Sequence, residues 1–345
     1  MARAVRWGIL GTGKIAGIVA GAVAASRGGE LVSVGSRDGA RAASFAARFG
    51  VSRHHDRYDG VIEDGEVDVV YVATYHPLHR EWAANAADAG KHVLCEKPLA
   101  VDHADAEEIV DAARRNDVLL LEAFAYRTHP QTHRLVELLR AGAIGEPRYV
   151  DAVFGYDAGP APGNYLLSPE LAGGSVLDVG CYTTSMAHLV AATASGTVVE
   201  SVDVAGTAIF GSTGVDLTSA VTVSFEDDAL LGRLACSITA NLESAVRIVG
   251  SDGRITVPSP WLPGRIGGTA RLVLEAWGSG AEVIEVPHGD IYAGEVDAVH
   301  SMLRAGEHDP SVMTWEESLA NMRTLDRWRD AIGLRYPALE AGSRT

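Results

Sequence analysis

The chain has 345 residues, 47% hydrophobic and 21% charged, and 29 basic against 45 acidic side chains leave a net charge of −16. That length accommodates two domains with cores of their own. An acidic surface without a Lys/Arg-rich block excludes nucleic acid and anionic membranes as partners, so any bound phosphate needs a local site.

The first predicted strand is Ala4 to Leu10, and it breaks into Gly11-Thr12-Gly13-Lys14-Ile15-Ala16 before a small-residue helix to Ala25. In that strand–turn–helix setting, G-x-G-x-x-G/A is a dinucleotide fingerprint. The first glycine permits the turn, the second admits a pyrophosphate, and Ala16 lets helix pack on strand. The start is too short and too briefly apolar for a signal peptide, and it runs straight into the glycine turn. No stretch reaches the length of a bilayer span.

A second strand, Glu30–Gly35, ends at Ser36-Arg37-Asp38. An acidic residue there binds the ribose 2′-OH of NAD, whereas a hydroxyl and a guanidinium suit a 2′-phosphate. Ser36 and Arg37, with Arg41 one turn on and Asp38 as helix cap, favour NADP(H) over NAD(H). Helix 40–49, strand 51–55, short helix 58–63 and a buried strand 67–73 follow. That strand ends in Thr74-Tyr75-His76-Pro77-Leu78-His79, and a helix runs on to residue 89. Strand 91–95 ends at Glu96-Lys97-Pro98, and helix 102–116 with strand 118–121 completes the alternation. Strand after helix after strand predicts a parallel doubly wound sheet over residues 1–122, with ligands at the carboxyl ends of its strands.

His76 with His79, and His129 with His133, lack ligand geometry or the interior Glu of H-E-x-x-H, so no metal site is predicted. His76 and His133 are read as loop and helix surface. Cys95, Cys181 and Cys236, with no C-x-x-C, form neither a disulfide framework nor a zinc site, and a reducing cytoplasm is expected.

After Glu122 the regularity stops. A helix at 131–140 leads to strand 148–154 and a Pro/Gly-rich loop from 155 to 169 that holds Asn164 and Tyr165. Helix 177–192 precedes strands 198–208, 216–225, 230–238 and 244–250, joined by turns such as Glu226-Asp227-Asp228, and further short strands to Val286. Helices 292–304 and 315–332 close the chain before a soft tail, 341–345. This predicts an α+β domain over 123–345 with a mostly antiparallel open sheet, and a ligand cleft between the two units.

The motifs Gly11-x-Gly13-x-x-Ala16, Thr74 to His79, Glu96-Lys97-Pro98 and Gly173-Gly174-x-x-x-Asp178-x-Gly180-x-Tyr182, in that order, make the chain resemble the Gfo/Idh/MocA oxidoreductase family. Within it, the stretch Glu122 to Pro130 resembles the branch of glucose–fructose oxidoreductase, dimeric dihydrodiol dehydrogenase and NADP-dependent xylose dehydrogenase. Two departures stand out: Tyr182 replaces the His of many members, though not of that branch, and Tyr75-His76-Pro77 replaces the usual Pro-Asn. The resemblance implies hydride transfer between NADP(H) and a sugar, polyol or dihydrodiol, or the keto counterpart. It also implies a homodimer, or higher homo-oligomer, formed on the second sheet.

By spacing alone, Asp178 and Tyr182 are an i, i+4 pair on one helix face, read as a dipole-facing Asp and a packed Tyr. The resemblance makes them catalytic together with Lys97. A tyrosine titrating near 10 is a poor base, and a neighbouring ammonium is expected to lower it and to orient the hydroxyl. Asp178 is expected to order Lys97 or a substrate hydroxyl. Glu96, Thr74, Tyr75 and His79 join the cofactor set. Tyr126 and Arg127 either line the substrate or brace the domain junction, and Asn164 lies in the loop over it. Two alternatives stand beside this reading: a reductase of nucleotide-linked keto-sugars, and a dinucleotide-binding sensor without chemistry.

Overall fold

The computed structural model describes residues 3–159, 163–226, 230–264, 266–309 and 311–337. Its first part alternates β1 (Val5–Leu10), α1 (Lys14–Ala25), β2 (Gly29–Gly35), α2 (Gly39–Phe49), β3 (Arg53–His55), α3 (Asp59–Ile62), β4 (Val69–Val72), α4 (His79–Asp88), β5 (His92–Glu96), α5 (His103–Arg115) and β6 (Leu120–Ala123). The strands pair in parallel in the order β3-β2-β1-β4-β5-β6. This is the doubly wound topology, whose switch point lies between β1 and β4. Both faces are covered: Val70, Val72 and Cys95 pack toward α4 and α5, whereas Trp7, Ile9, Tyr71 and Leu94 pack toward α1.

The chain continues through α6 (Pro130–Arg140), β7 (Pro147–Gly155), α7 (Cys181–Ser195), β8 (Ser201–Phe210), β9 (Asp216–Phe225), β10 (Leu231–Ser237), β11 (Ala245–Gly250), β12 (Gly253–Val257), β13 (Ile266–Ala276), β14 (Ala281–Asp290), α8 (Ile291–Ala305) and α9 (Trp315–Ile332). The second sheet runs β14-β13-β12-β11-β7-β10-β9-β8, antiparallel except where β7 lies parallel to β10. One face is buried: Val221, Val223, Leu234 and Ile248 belong to the core that also holds Trp328 of α9 and Ala187 of α7.

Of the short strands expected up to Val286, β12 is one, but the stretch after it is one long hairpin, β13 and β14, paired from Ile266↔Asp290 to Glu275↔Ala281. Its glycines sit at the start, Gly267 and Gly268, and in the turn, Gly278 and Gly280. Asp227 and Asp228 of the expected turn, residues 160–162 of the loop and the tail at 341–345 lie outside the described residues. Helix α8, although it follows the second sheet, packs Val296, Val299 and Met302 into the α1 side of the first.

Candidate active site

At the carboxyl end of β1, Gly11 has φ +114°, and a Cβ there would stand 2.5 Å from the Ala73 carbonyl oxygen. Only glycine holds that turn. Gly13 precedes α1, where a Cβ would meet nothing within 4 Å. The helix start has no side-chain cap and no acidic residue in its first turn. Its first N–H groups are therefore left without a side-chain acceptor, as an anion cradle requires. Ala16 is fully buried against the sheet.

At the end of β2, Asp38 caps α2, accepting from Ala40 N at 3.0 Å and Arg41 N at 3.1 Å, and its other oxygen pairs with Arg41 Nε at 3.1 Å. The backbone N–H groups and guanidinium of Arg41 hold its carboxyl below the usual aspartate range. Ser36 Oγ accepts from Asp38 N at 3.2 Å. Arg37 stays exposed on the rim, close to the Tyr58 hydroxyl. The acidic group is thus occupied by its helix and a guanidinium is displayed, which fits a 2′-phosphate better than a free ribose hydroxyl.

From this rim a cleft of about 560 Å³ runs past Thr12, Lys14, Ile15, Thr74, Tyr75 and His79 to Glu96, Lys97, Tyr165, Tyr182 and Tyr292. Thr74 Oγ1 has no protein partner. His79 is buried, its Nδ1 2.9 Å from Pro98 O and its Nε2 3.2 Å from Thr74 O, so it ties together the turns after β4 and β5. A larger cavity, about 760 Å³, opens at the opposite edge between Arg3, His92 and Trp315. It lies at the amino ends of the parallel strands, where doubly wound sheets do not place their ligands.

Lys97 follows β5 and enters the second unit. Its Nζ donates to Asp178 O at 2.6 Å and to Asp178 Oδ1 at 3.4 Å, while Tyr156 Oη donates to Asp178 Oδ2 at 2.6 Å. The ammonium lies 5.1 Å from the centroid of the Tyr182 ring. Burial works most strongly against the Lys97 charge, but Asp178, Tyr182, Cys181 and Tyr165 together outweigh it and the net shift is upward. Asp178 sits in a π-helical turn, Val176–Gly180, that leads into α7, so the expected single α-helical face is replaced by a widened turn of a kind found mostly at functional sites. The expected lowering of Tyr182 is also overturned. Burial holds its hydroxyl well above 10, against the opposing pull of Lys97. A cage of Phe124, Phe154 and Trp261, with centroids at 5.1, 5.2 and 5.9 Å, packs round the ring and supplies that burial.

Three expected substrate residues sit elsewhere. Tyr126 is fully buried, its hydroxyl 2.7 Å from Ser185 Oγ. Arg127 is buried in an ion pair with Glu317 at 2.6 Å; both brace the junction because nothing lets them reach the cleft. Asn164 turns inward to accept from Leu166 N at 3.1 Å, and this presents Tyr165 instead. His76 is not surface. Its Nδ1 lies 3.2 Å from Ala172 O, and burial drops it to about 3. His133 is half-buried in α6. Among the described residues no group of three or more His, Cys, Asp or Glu could hold a metal. Sequence reasoning missed Tyr156 and Tyr292. An isolated tyrosine at a strand or helix end carries no motif, and only the fold brings Tyr292 to the cleft and Tyr156 to Asp178.

Residues 5–124 match the family model described as the Gfo/Idh/MocA oxidoreductase family, NAD-binding Rossmann fold, and residues 132–256 match the Gfo/Idh/MocA C-terminal domain. The chain is similar to trans-1,2-dihydrobenzene-1,2-diol dehydrogenase of Xenopus laevis, at 31% identity over 97% of this chain and 100% of that one. It is also similar to D-xylose 1-dehydrogenase (NADP(+)) 2 of Haloferax volcanii, at 33% identity over 93% and 95%. Among solved structures, a 3-ketoreductase from Actinomadura kijaniata in complex with NADP and TDP-benzene superposes with a TM-score of 0.85, at 28% identity over 96% of this chain and 98% of that one.

Proposed function

Because the chain belongs to the Gfo/Idh/MocA oxidoreductase family, we propose that it is an NADP(H)-dependent enzyme acting on a sugar, polyol or dihydrodiol, or on the corresponding keto compound. The observation that carries this reading is the convergence of Lys97, Asp178 and Tyr182 at one end of a cleft that begins at the Gly11–Gly13 turn. A sensor without chemistry has no use for that constellation. The dihydrodiol and xylose relatives supply the substrate class, and the NADP-dependent relatives agree with Asp38 capping its own helix while Arg37 is exposed at the rim.

The residues divide the work. Gly11, Thr12, Gly13, Lys14 and Ile15 cradle the pyrophosphate, Ser36, Arg37 and Arg41 face the 2′-phosphate, and Thr74, Tyr75, His79 and Glu96 wall the path to the nicotinamide. The cofactor, when bound, exchanges a hydride with the substrate carbon. Tyr182 is the proton carrier at the substrate oxygen. Its high pKa keeps it a hydroxyl at neutral pH, ready to donate in reduction. In oxidation it must release that proton, and the Lys97 ammonium, held by Asp178, stabilises the resulting phenolate. Asp178 is fixed in turn by Tyr156. We further place the enzyme in the cytoplasm and read it as a homodimer, with the partly apolar outer face of the second sheet as the interface.

Tyr182→Phe tests the assignment. Turnover should fall by about 10²- to 10⁴-fold, the usual share of a general acid–base, while NADPH still quenches tryptophan fluorescence. A variant that turns over normally would remove Tyr182 from the chemistry. The 3-ketoreductase similarity favours a second reading, reduction of a nucleotide-linked keto-sugar. Turnover of a keto-sugar only when it carries a nucleoside diphosphate, and not as the free sugar, would establish that reading instead.

A further inference from the structure

The stretch Gly173-Gly174-Ser175 leads into the π-helical turn that carries Asp178, and Ser175 supplies no side-chain cap for that turn. The acceptor comes from elsewhere in the chain. Asp216, which opens β9 and is fully buried, accepts on Oδ2 from Ser175 Oγ at 2.6 Å and from Val176 N at 2.8 Å. Its Oδ1 stands where a side chain on Gly174 would be: Gly174 has φ +111°, and a Cβ there would lie 2.1 Å from that oxygen. Gly174 O in turn accepts from Asp178 N at 3.4 Å. Gly174 N donates to Leu166 O at 2.9 Å, next in the chain to Tyr165 of the cleft wall.

We propose that Asp216 is a positioning residue for the proton transfer: it fastens the Gly174–Val176 turn to the second sheet and thereby holds Asp178 where both of its acceptors reach Lys97. Its catalytic part rests on the NADP(H) oxidoreductase reading above. Lys97 bonds to the backbone oxygen and to Oδ1 of Asp178, so displacing that one residue disturbs both bonds at once. The first N–H groups of a helix have no partner within it, and Asp216 satisfies the one on Val176 with a charge-assisted bond. The arrangement costs stability. Asp216 Oδ1 has no hydrogen-bond partner among the described residues, and burial lifts the carboxyl to about 6 against the bonds from Ser175 and Val176. A serine or asparagine at the helix start would cap it without burying a charge. A carboxylate on β9, paired in register with β8, adds what a local cap lacks: a tie to a rigid element that fixes where the turn stands. Tyr336 and Cys236 brace the same turn, through Tyr336 Oη donating to Gly173 O at 2.6 Å and Cys236 Sγ lying 3.3 Å from Ser175 Oγ. With Asp178 displaced, burial of the Lys97 ammonium is opposed by less, and its proton leaves at lower pH.

Lysine occurs at only three positions, Lys14, Lys91 and Lys97, so NMR of the full chain carrying isotope-labelled lysine can follow Lys97 alone, its Cε signal assigned by loss in Lys97→Met. In the wild type that signal should keep its ammonium position past the ordinary lysine value of about 10.4. In Asp216→Ala its midpoint should drop by about one unit or more. Turnover per NADPH-binding site, which counts only folded protein, should fall by up to about a hundredfold with NADPH affinity unchanged. Ser175→Ala removes one donor and leaves the carboxyl in place, so it should move both readouts the same way by less, and it carries the test if Asp216→Ala does not fold. A Lys97 midpoint that stays at its wild-type value in the folded variants overturns the proposal, and so does normal turnover per site beside a displaced midpoint. A wild type that neither binds NADP(H) nor turns over refutes the oxidoreductase reading, whereas the hold of Asp216 on Lys97 is still decided by the titration.

Discussion

Arg37 stands where the two dinucleotides differ, and its surroundings fix what it can do. Asp38, the acidic residue that could hold a ribose 2′-OH, already accepts three hydrogen bonds from α2, and an exposed guanidinium stands beside it. Arg37→Glu should weaken NADPH binding by about 1.5–3 kcal/mol, the range for a hydrogen bond to a charged group, and bring NADH to parity or better. Paired fluorescence titrations with NADPH and NADH read this directly, and an unchanged preference would move the discrimination to Ser36 or Arg41. Tyr182 carries a second consequence. Since burial keeps its hydroxyl protonated in the free protein, kcat/KM for ketone reduction should stay level across neutral pH. For alcohol oxidation it should climb with pH, up to about tenfold per unit, because only the deprotonated form serves as base. A reduction limb that falls between pH 6 and 8 would assign proton donation to another group.

Among the elements, the glycine turn separates folding from binding. Gly11→Ala places a Cβ 2.5 Å from a backbone oxygen at positive φ. Strain of this kind costs about 1–3 kcal/mol, so a clear drop in Tm is expected with or without cofactor. Gly13→Ala meets nothing within 4 Å, so its Tm should stay near wild type while NADPH binding weakens. If both variants lose only stability, the turn is not a phosphate cradle. The stretch around Arg127 makes a different point. Breaking its buried pair by Glu317→Ala leaves an uncompensated guanidinium, which should destabilise by about 3–5 kcal/mol in denaturant unfolding, and a loss under 1 kcal/mol would show the brace to be dispensable. The alternation from β1 to β6 was legible because fully buried parallel strands read as unbroken apolar runs cut by glycines and caps. The Lys97, Asp178 and Tyr182 group was legible because it follows a motif order. What escaped was what only three-dimensional closure decides: that Arg127 finds Glu317, 190 residues on, that Asn164 turns inward to cap Tyr165–Leu167, and that α8 returns to the first sheet. The length of β13 and β14 also escaped, since it is set by their pairing with each other along the whole hairpin.

For the molecule as a whole, the eight-stranded sheet poses one remaining physical question. Its inner face is covered by helices, but its outer face is not, and the composition of that face is not that of an ordinary solvated surface. Registered pairs place Thr218, Ala220 and Thr222 of β9 beside Ser237, Ala235 and Arg233 of β10. Leu231 is 48% exposed, as is Trp277 near the hairpin turn, and Val283 and Ile209 are exposed at 55% and 65%. At its centre Asp151 is buried beneath Arg233 at 2.6 Å and Arg247 at 3.7 Å, so the charges there are already matched within the sheet. A broad face of small and apolar side chains with its few charges internally paired can meet a copy of itself about a twofold axis, and the self-complementary C2 dimer is the commonest soluble assembly. The proposed homodimer predicts a light-scattering mass of twice 36.3 kDa. Ala220→Arg, which adds an unpaired like charge on each side of such an interface, should give a monomer of unchanged fold. A wild-type monomer at micromolar concentration would leave this face to solvent, and an Ala220→Arg dimer would move the interface to another surface.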